Sequence, residues 1–324
     1  MTLAFSQNSI NIKMMKILIV MLFAISTWAA VPTNEVVIPG SQETLKERLK
    51  KLSLNQDESK AHNLVFDLPV TYNQQVAKWV QYFQTKGNKW FREYLERSSK
   101  YLPFIQNELA KAHLPLDLAF MVMIESGFST SATSTANAVG PWQFIEGTAA
   151  RYGLRKHWWL DERRDFRKST KAAIKYIKDL HQEFGSWYLV AASYNMGENG
   201  LRRQIEKHKT NDYWTLVRKK ALPEETQNYV PKILAAMLIT KSPNLYGFRY
   251  LERRDPLEYD YVSVPGGTDL ESLADALGVT RKSLKELNSE LLVNYIPRQV
   301  ASHTIRVPSG AGKIISEFLA KKSN

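Results

Sequence analysis

The chain has 324 residues, of which 44% are hydrophobic and 23% charged, a composition that excludes a disordered or fibrous polymer and allows more than one core. It contains no cysteine, which excludes disulfides, thiolate zinc sites, a cysteine nucleophile and lipid attachment at an N-terminal cysteine. The net charge of +12 suits an anionic partner, and nucleic acid, an acidic membrane surface and a carboxylate-bearing wall all satisfy it.

Met14-Met15-Lys16 leads into an apolar run from Ile17 to Ile25, followed by the small residues around Ser26-Thr27-Trp28-Ala29-Ala30. A basic start, a short apolar core and an alanine exit predict a secretory signal peptide over 1–30, with 1–13 as an upstream extension. The run is shorter than the roughly 20 residues of a spanning helix, so cleavage is favoured over a retained anchor. The mature protein is therefore expected outside the cytoplasm, in the periplasm or cell envelope, with at most a peripheral hold on membrane or wall. Lacking cysteine, it is not expected to be a lipoprotein. Residues 31–69 are polar, charged from Glu43 to Lys60, and read as a linker with a short amphipathic helix.

From 70 to about 250 the texture is helical. Thr71 is the expected N-cap of a helix carrying Val76, Val80, Tyr82 and Phe83, and Trp90 to Arg97 continue that stripe. Further helices are expected at Leu102–Ala112, Pro115–Ile124, Ile145–Arg151, Ser169–Phe184, Trp187–Asn195, Gly200–Lys207 and Pro223–Thr240. Between them, Ser126 to Gly140 has no period and reads as a loop of functional length. No alternating strand pattern stands out before 245. After Tyr246, Tyr261–Val264 and His303–Val307 alternate as strands around helices at Asp269–Leu277 and Arg281–Asn288, a β-α-α-β unit over 258–310. Residues 311–324 read as a terminal basic helix. The fold class is mainly α, with one small mixed unit behind it.

Glu125 directly follows Phe120-Met121-Val122-Met123-Ile124. A carboxyl at the end of such a run is desolvated, which disfavours its charged form and raises its pKa. A glutamic acid protonated near neutrality can protonate a glycosidic oxygen. Position alone also fits a helix-terminal glutamate reaching solvent; the neighbours decide. Gly140-Pro141-Trp142-Gln143, Tyr194-Asn195-Met196-Gly197 and Glu225-Thr226-Gln227-Asn228-Tyr229-Val230 each put aromatic and amide groups beside a glycine or a helix start. Such residues suit the apolar faces and hydroxyls of sugars.

Taken in order, Glu125-Ser126, Gly140-x-x-Gln143, Tyr194-Asn195-x-Gly197 and Glu225-Thr226-x-x-Tyr229-Val230 resemble the catalytic domain of soluble-lytic-transglycosylase type, in particular the membrane-bound lytic murein transglycosylase D branch. Leu95-Glu96-Arg97-Ser98 and the segment from Trp158 to Asp165 resemble that branch too. The resemblance covers about 102–248 and implies a lysozyme-like helical fold. It implies Glu125 as catalytic acid and base, Ser134 near that carboxylate or the substrate's acetamido group, and Gln143 and Asn195 as substrate-binding amides. It implies Tyr229 as the hydroxyl that positions the glutamate, with Trp142, Tyr194 and Met196 lining the sugar groove. Gly127 and Pro141 stand where many relatives carry alanine or serine, and leucine or isoleucine.

The implied reaction cuts the bond between N-acetylmuramic acid and N-acetylglucosamine in peptidoglycan glycan strands and closes a 1,6-anhydro ring. One acid suffices for it, and none of the motifs offers an obvious second; Asp161 and Asp165 read as members of structural ion pairs. No metal or other cofactor is expected, since the six histidines show no ligand spacing, and nucleotide and nucleic-acid motifs are missing. The unit at 258–310 resembles a LysM-type glycan-binding module through Gly266 to Leu270 and Leu284-x-x-Leu287-Asn288. Two alternatives remain open: a hydrolase of goose-type lysozyme kind, and a catalytically silent wall-binding protein. Oligomeric state is silent in the sequence.

Overall fold

In the computed structural model, which describes residues 65–322, helix α1 (Gln74–Gln84) starts where the Asn73 side chain accepts the Val76 N–H at 3.0 Å. Asn73, and not Thr71, is thus the N-cap; an Asx side chain placed three residues before a free N–H takes that position readily. The predicted signal peptide and most of the linker lie outside the described residues. Helix α2 (Asn88–Lys111) is continuous through 98–101, where a gap between two helices had been expected, and through Pro103. Phe91, Leu95, Tyr101, Ile105 and Leu109 bury one stripe on both sides of the proline, and that burial outweighs the roughly 3 kcal/mol cost of an interior proline.

A single 3-10 turn (Leu116–Ala119) leads into the seven-residue helix α3 (Phe120–Ser126), so the expected helix at 115–124 is split and ends two residues later. Then come α4 (Glu146–Arg151), α5 (Phe166–Phe184), α6 (Trp187–Met196), α7 (Glu198–His208), α8 (Tyr213–Arg218) and α9 (Glu224–Lys241). Helix α8 escapes a periodicity reading because six residues are too few to show a stripe. Helix α9 is apolar nearly all round, buries Val230 and Ile233 through Ile239, and packs against α1, α3 and α6. It is the central post of the main core, and its first turns stand beside the end of α3.

The helical stretch holds one strand pair that the pattern did not reveal, β1 (Lys156–His157) and β2 (Leu160–Asp161), with Trp158 and Trp159 at its turn. Two residues per strand are too short to alternate. Near the C-terminus β3 (Asp260–Pro265) pairs antiparallel with β4 (Ser302–Val307) in the register Asp260 to Val307. Helices α10 (Leu270–Ala276) and α11 (Arg281–Leu287) lie between them, capped by Asp269 and Thr280, and α12 (Gly312–Lys322) follows. The class is the expected one: mainly helical, with a β-α-α-β unit behind.

Two hydrophobic cores result. The first gathers α1 to α9, from Leu68 to Phe248. The second includes Val264, Leu273, Leu284, Leu291, Ile296, Ile305 and Ile315, and also Trp159 and Leu160 from the hairpin of the helical stretch. Leu160 bridges Leu291, the Asp161 N–H donates to the Glu290 carbonyl, and the Leu292 N–H donates to the Trp159 carbonyl, both at 2.8 Å. Arg306 of β4 ties the two stretches a second time, to Asp165 at 2.7 Å and Glu290 at 2.5 Å. Asp161 pairs with Arg163 at 2.7 Å, so both aspartates make the ion pairs expected of them.

Candidate active site

Helix α3 carries Glu125 because four consecutive side chains before it, Phe120 to Met123, are buried and anchor it. The helix stops at Gly127, whose φ of 56° is left-handed and whose Cβ, if it had one, would sit 2.2 Å from the Tyr94 ring. Only glycine fits there in this chain. The Ser126 hydroxyl donates to the Pro141 carbonyl at 2.8 Å, fastening the helix end to the loop that follows.

Glu125 is half-buried and accepts a hydrogen bond from the Tyr229 hydroxyl at 2.5 Å, a contact between α3 and the head of α9. Burial pushes its carboxyl up to about 7; Tyr229 pulls the other way, Glu225 adds to the rise and Lys232 opposes it. Burial and the Glu125 charge hold the Tyr229 phenol well above its ordinary value, so it stays a donor. The arrangement is a glutamate that can hold or release a proton near neutrality, beside a neutral hydroxyl that favours its charged form.

The loop from Phe128 to Phe144 is shaped by two arginines. Arg163 donates to the carbonyls of Asn137 and Phe144, each at 3.1 Å, and Arg164 donates to Ser131 and Thr133. Gly140, at φ 82°, lets the Arg163 carbonyl approach to 1.9 Å of where a Cβ would stand.

The expected site residues divide into three groups. Tyr229 touches Glu125, Tyr194 feels its charge, and Asn195 sits beside Glu225, whose charge also reaches Glu125. Burial raises the Tyr194 phenol well above its ordinary value, with the Glu125 charge adding to it, and its hydroxyl donates to the Trp142 carbonyl at 2.8 Å. Asn195 accepts from the Thr226 hydroxyl at 2.7 Å and donates to Glu225 at 3.2 Å, locking α6 to the start of α9. Gln143, Ser134 and Met196 are half-buried at the margin. Gln143 donates to the Gly140 carbonyl at 2.8 Å from a left-handed backbone of φ 49°, and the Ser134 oxygen accepts the Ala138 N–H at 3.1 Å. No hydrogen bond joins Ser134 to Glu125.

Trp142 is the correction. It is fully buried, its indole N–H donates to Thr170 at 2.9 Å, and its ring packs beside Tyr194, so no face is left for a sugar. A tryptophan between glycine and glutamine reads as a groove residue; here it anchors the loop to the core.

Two residues near Glu125 had been given no role, and one of them is acidic. Glu225 lies one helical turn before Tyr229 and Lys232 nearly one turn after it, so both share its face of α9. That spacing was the signal that could have found them. The expectation that the motifs hold no second acid near Glu125 is corrected to this extent: the Glu225 charge reaches Glu125, without a hydrogen bond between them.

Comparison with known proteins places this geometry in context. Residues 103–217 match the family model described as Transglycosylase SLT domain, and 258–324 match that described as Lytic transglycosylase MltD, LysM-like domain. Glu125, Ser134, Gln143, Tyr194 and Asn195 fall inside the first match, and Tyr229 lies beyond its end. Over 198 residues, 60% of this chain, the sequence is 34% identical to the Membrane-bound lytic murein transglycosylase D of Escherichia coli, of which the match covers 43%. This chain therefore spans less than half the length of that relative. A protein of an Alteromonas species, named for tributyltin chloride resistance, is 39% identical over 118 residues, 36% of this chain and 57% of its own. The 70 kDa soluble lytic transglycosylase of Escherichia coli superposes with a TM-score of 0.40 at 18% identity, over 55% of this chain and 33% of that one, too loosely to add weight.

Proposed function

We propose, from the premise that this chain joins a transglycosylase SLT domain to an MltD-type LysM-like domain, that it cuts peptidoglycan glycan strands by lytic transglycosylation with Glu125 as single acid and base. The observation that carries the reading is the Glu125 carboxyl, pushed up to about 7 by burial and hydrogen-bonded to the neutral Tyr229 hydroxyl.

In the first step Glu125 gives its proton to the glycosidic oxygen as the bond to the muramyl anomeric carbon breaks, and the glucosaminyl 4-hydroxyl departs. The substrate's own 2-acetamido oxygen bonds that carbon and takes the developing positive charge. Glu125, now a carboxylate held by Tyr229, then accepts the proton of the muramyl 6-hydroxyl. That oxygen attacks the anomeric carbon and displaces the acetamido oxygen, which closes the 1,6-anhydro ring and returns Glu125 to its protonated form. No water is consumed. The acid must be protonated at the start and ionised midway, so a pKa near the working pH serves both halves. Asn195, Gln143 and Ser134 are the polar groups in place to orient the sugars, with Tyr194 and Met196 beside them.

The helical stretch 70–250 is assigned the cutting and 258–310 the holding of glycan. The export signal read from the sequence and the proposed wall substrate both support a location in the cell envelope; among the described residues no helix is long and apolar enough to cross a membrane.

The hydrolase reading has one observation in its favour, the Glu225 carboxylate as a base for water. Muropeptides released from purified sacculi by the protein and by its Glu125→Gln and Glu225→Gln variants separate the two by mass. The proposal expects fragments one water lighter than hydrolytic ones, lost with Glu125→Gln and kept with Glu225→Gln. Reducing-end fragments lost with either variant would establish the hydrolase instead.

A further inference from the structure

Trp158, at the tip of the β1–β2 hairpin, keeps 63% of its surface exposed while its neighbour Trp159 is folded into the second core. Beside it stands Tyr295, from the loop between α11 and β4, 44% exposed; the ring centroids are 6.3 Å apart and the planes cross at 52°. Leu292, also exposed, lies in the same loop. Burying an aromatic side chain is worth roughly 1.5–3 kcal/mol, so two large rings left to solvent side by side, brought from distant parts of the chain, forgo stabilisation that folding alone would have taken.

The platform beneath them is built before any ligand arrives. The Leu292 N–H donates to the Trp159 carbonyl at 2.8 Å, and Leu160 bridges Leu291. On either side of Tyr295, the Asn294 carbonyl accepts the Leu270 N–H at 2.8 Å and the Ile296 N–H donates to the Thr268 carbonyl at 2.9 Å. Buried Trp159, Leu291 and Ile296 pack below, and Arg306 clamps Asp165 to Glu290. Neither ring needs to be ordered on binding, which removes a cost that a flexible site would carry.

The geometry points to a second glycan-binding site at the junction of the two cores, with Trp158 and Tyr295 as stacking faces for pyranose rings of an amino-sugar strand. This rests on the peptidoglycan reading above. A pyranose has an apolar C–H face that lies on an aromatic ring while its hydroxyls and amides face outward, and the exposed His157 and Asn294 stand next in sequence to the two rings to meet them. The patch is a few rings wide, far below the roughly 800 Å² per partner of a stable protein interface. It is also continuous with the active-site frame: the same hairpin runs into Arg163 and Arg164, which hold the Phe128–Phe144 loop beside Glu125. A strand reaching beyond the cleavage point thus has a second hold on the same rigid body.

The test uses the full chain carrying Glu125→Gln, which keeps its site but does not cut, and measures co-sedimentation with purified sacculi. Trp158→Ala with Tyr295→Ala is expected to weaken binding about tenfold, while Trp158→Phe keeps most of it. In the cutting-competent chain the same double variant should raise KM for intact strands and leave kcat on short soluble fragments unchanged. Unchanged sacculus binding would overturn the inference, as would equal losses on strands and fragments or a change in oligomeric state instead of glycan affinity. If Glu125→Gln still cut, the mechanism would fail while the binding comparison kept its meaning.

Discussion

Glu125 and Glu290 are both glutamates taken largely out of water, and burial pushes both upward from the ordinary carboxylate range. Their partners set them apart. Glu290 meets the Arg306 guanidinium at 2.5 Å, and Arg306 also holds Asp165, so the charge is matched inside the protein and faces no substrate. Among the described residues Glu125 meets only a phenol, and no cation pairs with it directly. A buried carboxylate matched by a guanidinium is architecture; one matched by a neutral donor still has its proton to give. A raised pKa marks both, and only the partner tells them apart.

The sharpest way to break that contrast is to neutralise each in turn. Glu125→Gln should cut about a thousandfold more slowly in kcat, as loss of a general acid and base requires, whereas Glu290→Gln should leave turnover per folded molecule within a few-fold; release assays on sacculi compare them. Stability should move the other way for Glu125→Gln. The folded carboxyl keeps its proton up to about 7 while the unfolded one loses it near 4.5, so the native state loses stability as pH rises between those values. Glutamine removes that loss, and urea melts should show the variant gaining up to about 3 kcal/mol on the wild type above pH 7 and little below pH 4.5. Arg306→Met leaves Asp165 and Glu290 facing each other uncompensated and should cost roughly 3–5 kcal/mol in the same melts.

Smaller effects refine the picture. Tyr229→Phe removes a hydrogen bond that favours the ionised form, so the Glu125 pKa should rise further. The alkaline limb of kcat/KM, where the acid loses its proton, should move to higher pH, with a rate loss of about tenfold. Glu225→Gln removes a negative charge that raises the Glu125 pKa, so the same limb should move slightly to lower pH. A shift of the two variants in the same direction would contradict the assignment of their effects.

Much of the site was legible because its cause is local. Five apolar residues before Glu125 predict its desolvation, and the helix pattern predicts the helix that becomes α9. Trp142 was misread because exposure depends on which way the loop folds, and that is decided by Thr170 and Tyr194, far along the chain. The junction was illegible for a related reason. Asp161 and Asp165 read as ion-pair members, but their partners do not show in the sequence: Asp161 takes Arg163 two residues on, while Asp165 takes Arg306 from the other core, which also holds Glu290. Six of the eight residues from Trp158 to Asp165 are buried, in a segment whose charges predicted ion pairs but not their depth.

The most direct test of the account is to digest purified sacculi in heavy-oxygen water and weigh the released muropeptides. If Glu125 acts alone and the muramyl 6-hydroxyl attacks, the new ends carry no heavy oxygen and are one water lighter than hydrolytic ends. One heavy oxygen in each new reducing end would mean that water is the nucleophile and that the single-acid account is wrong.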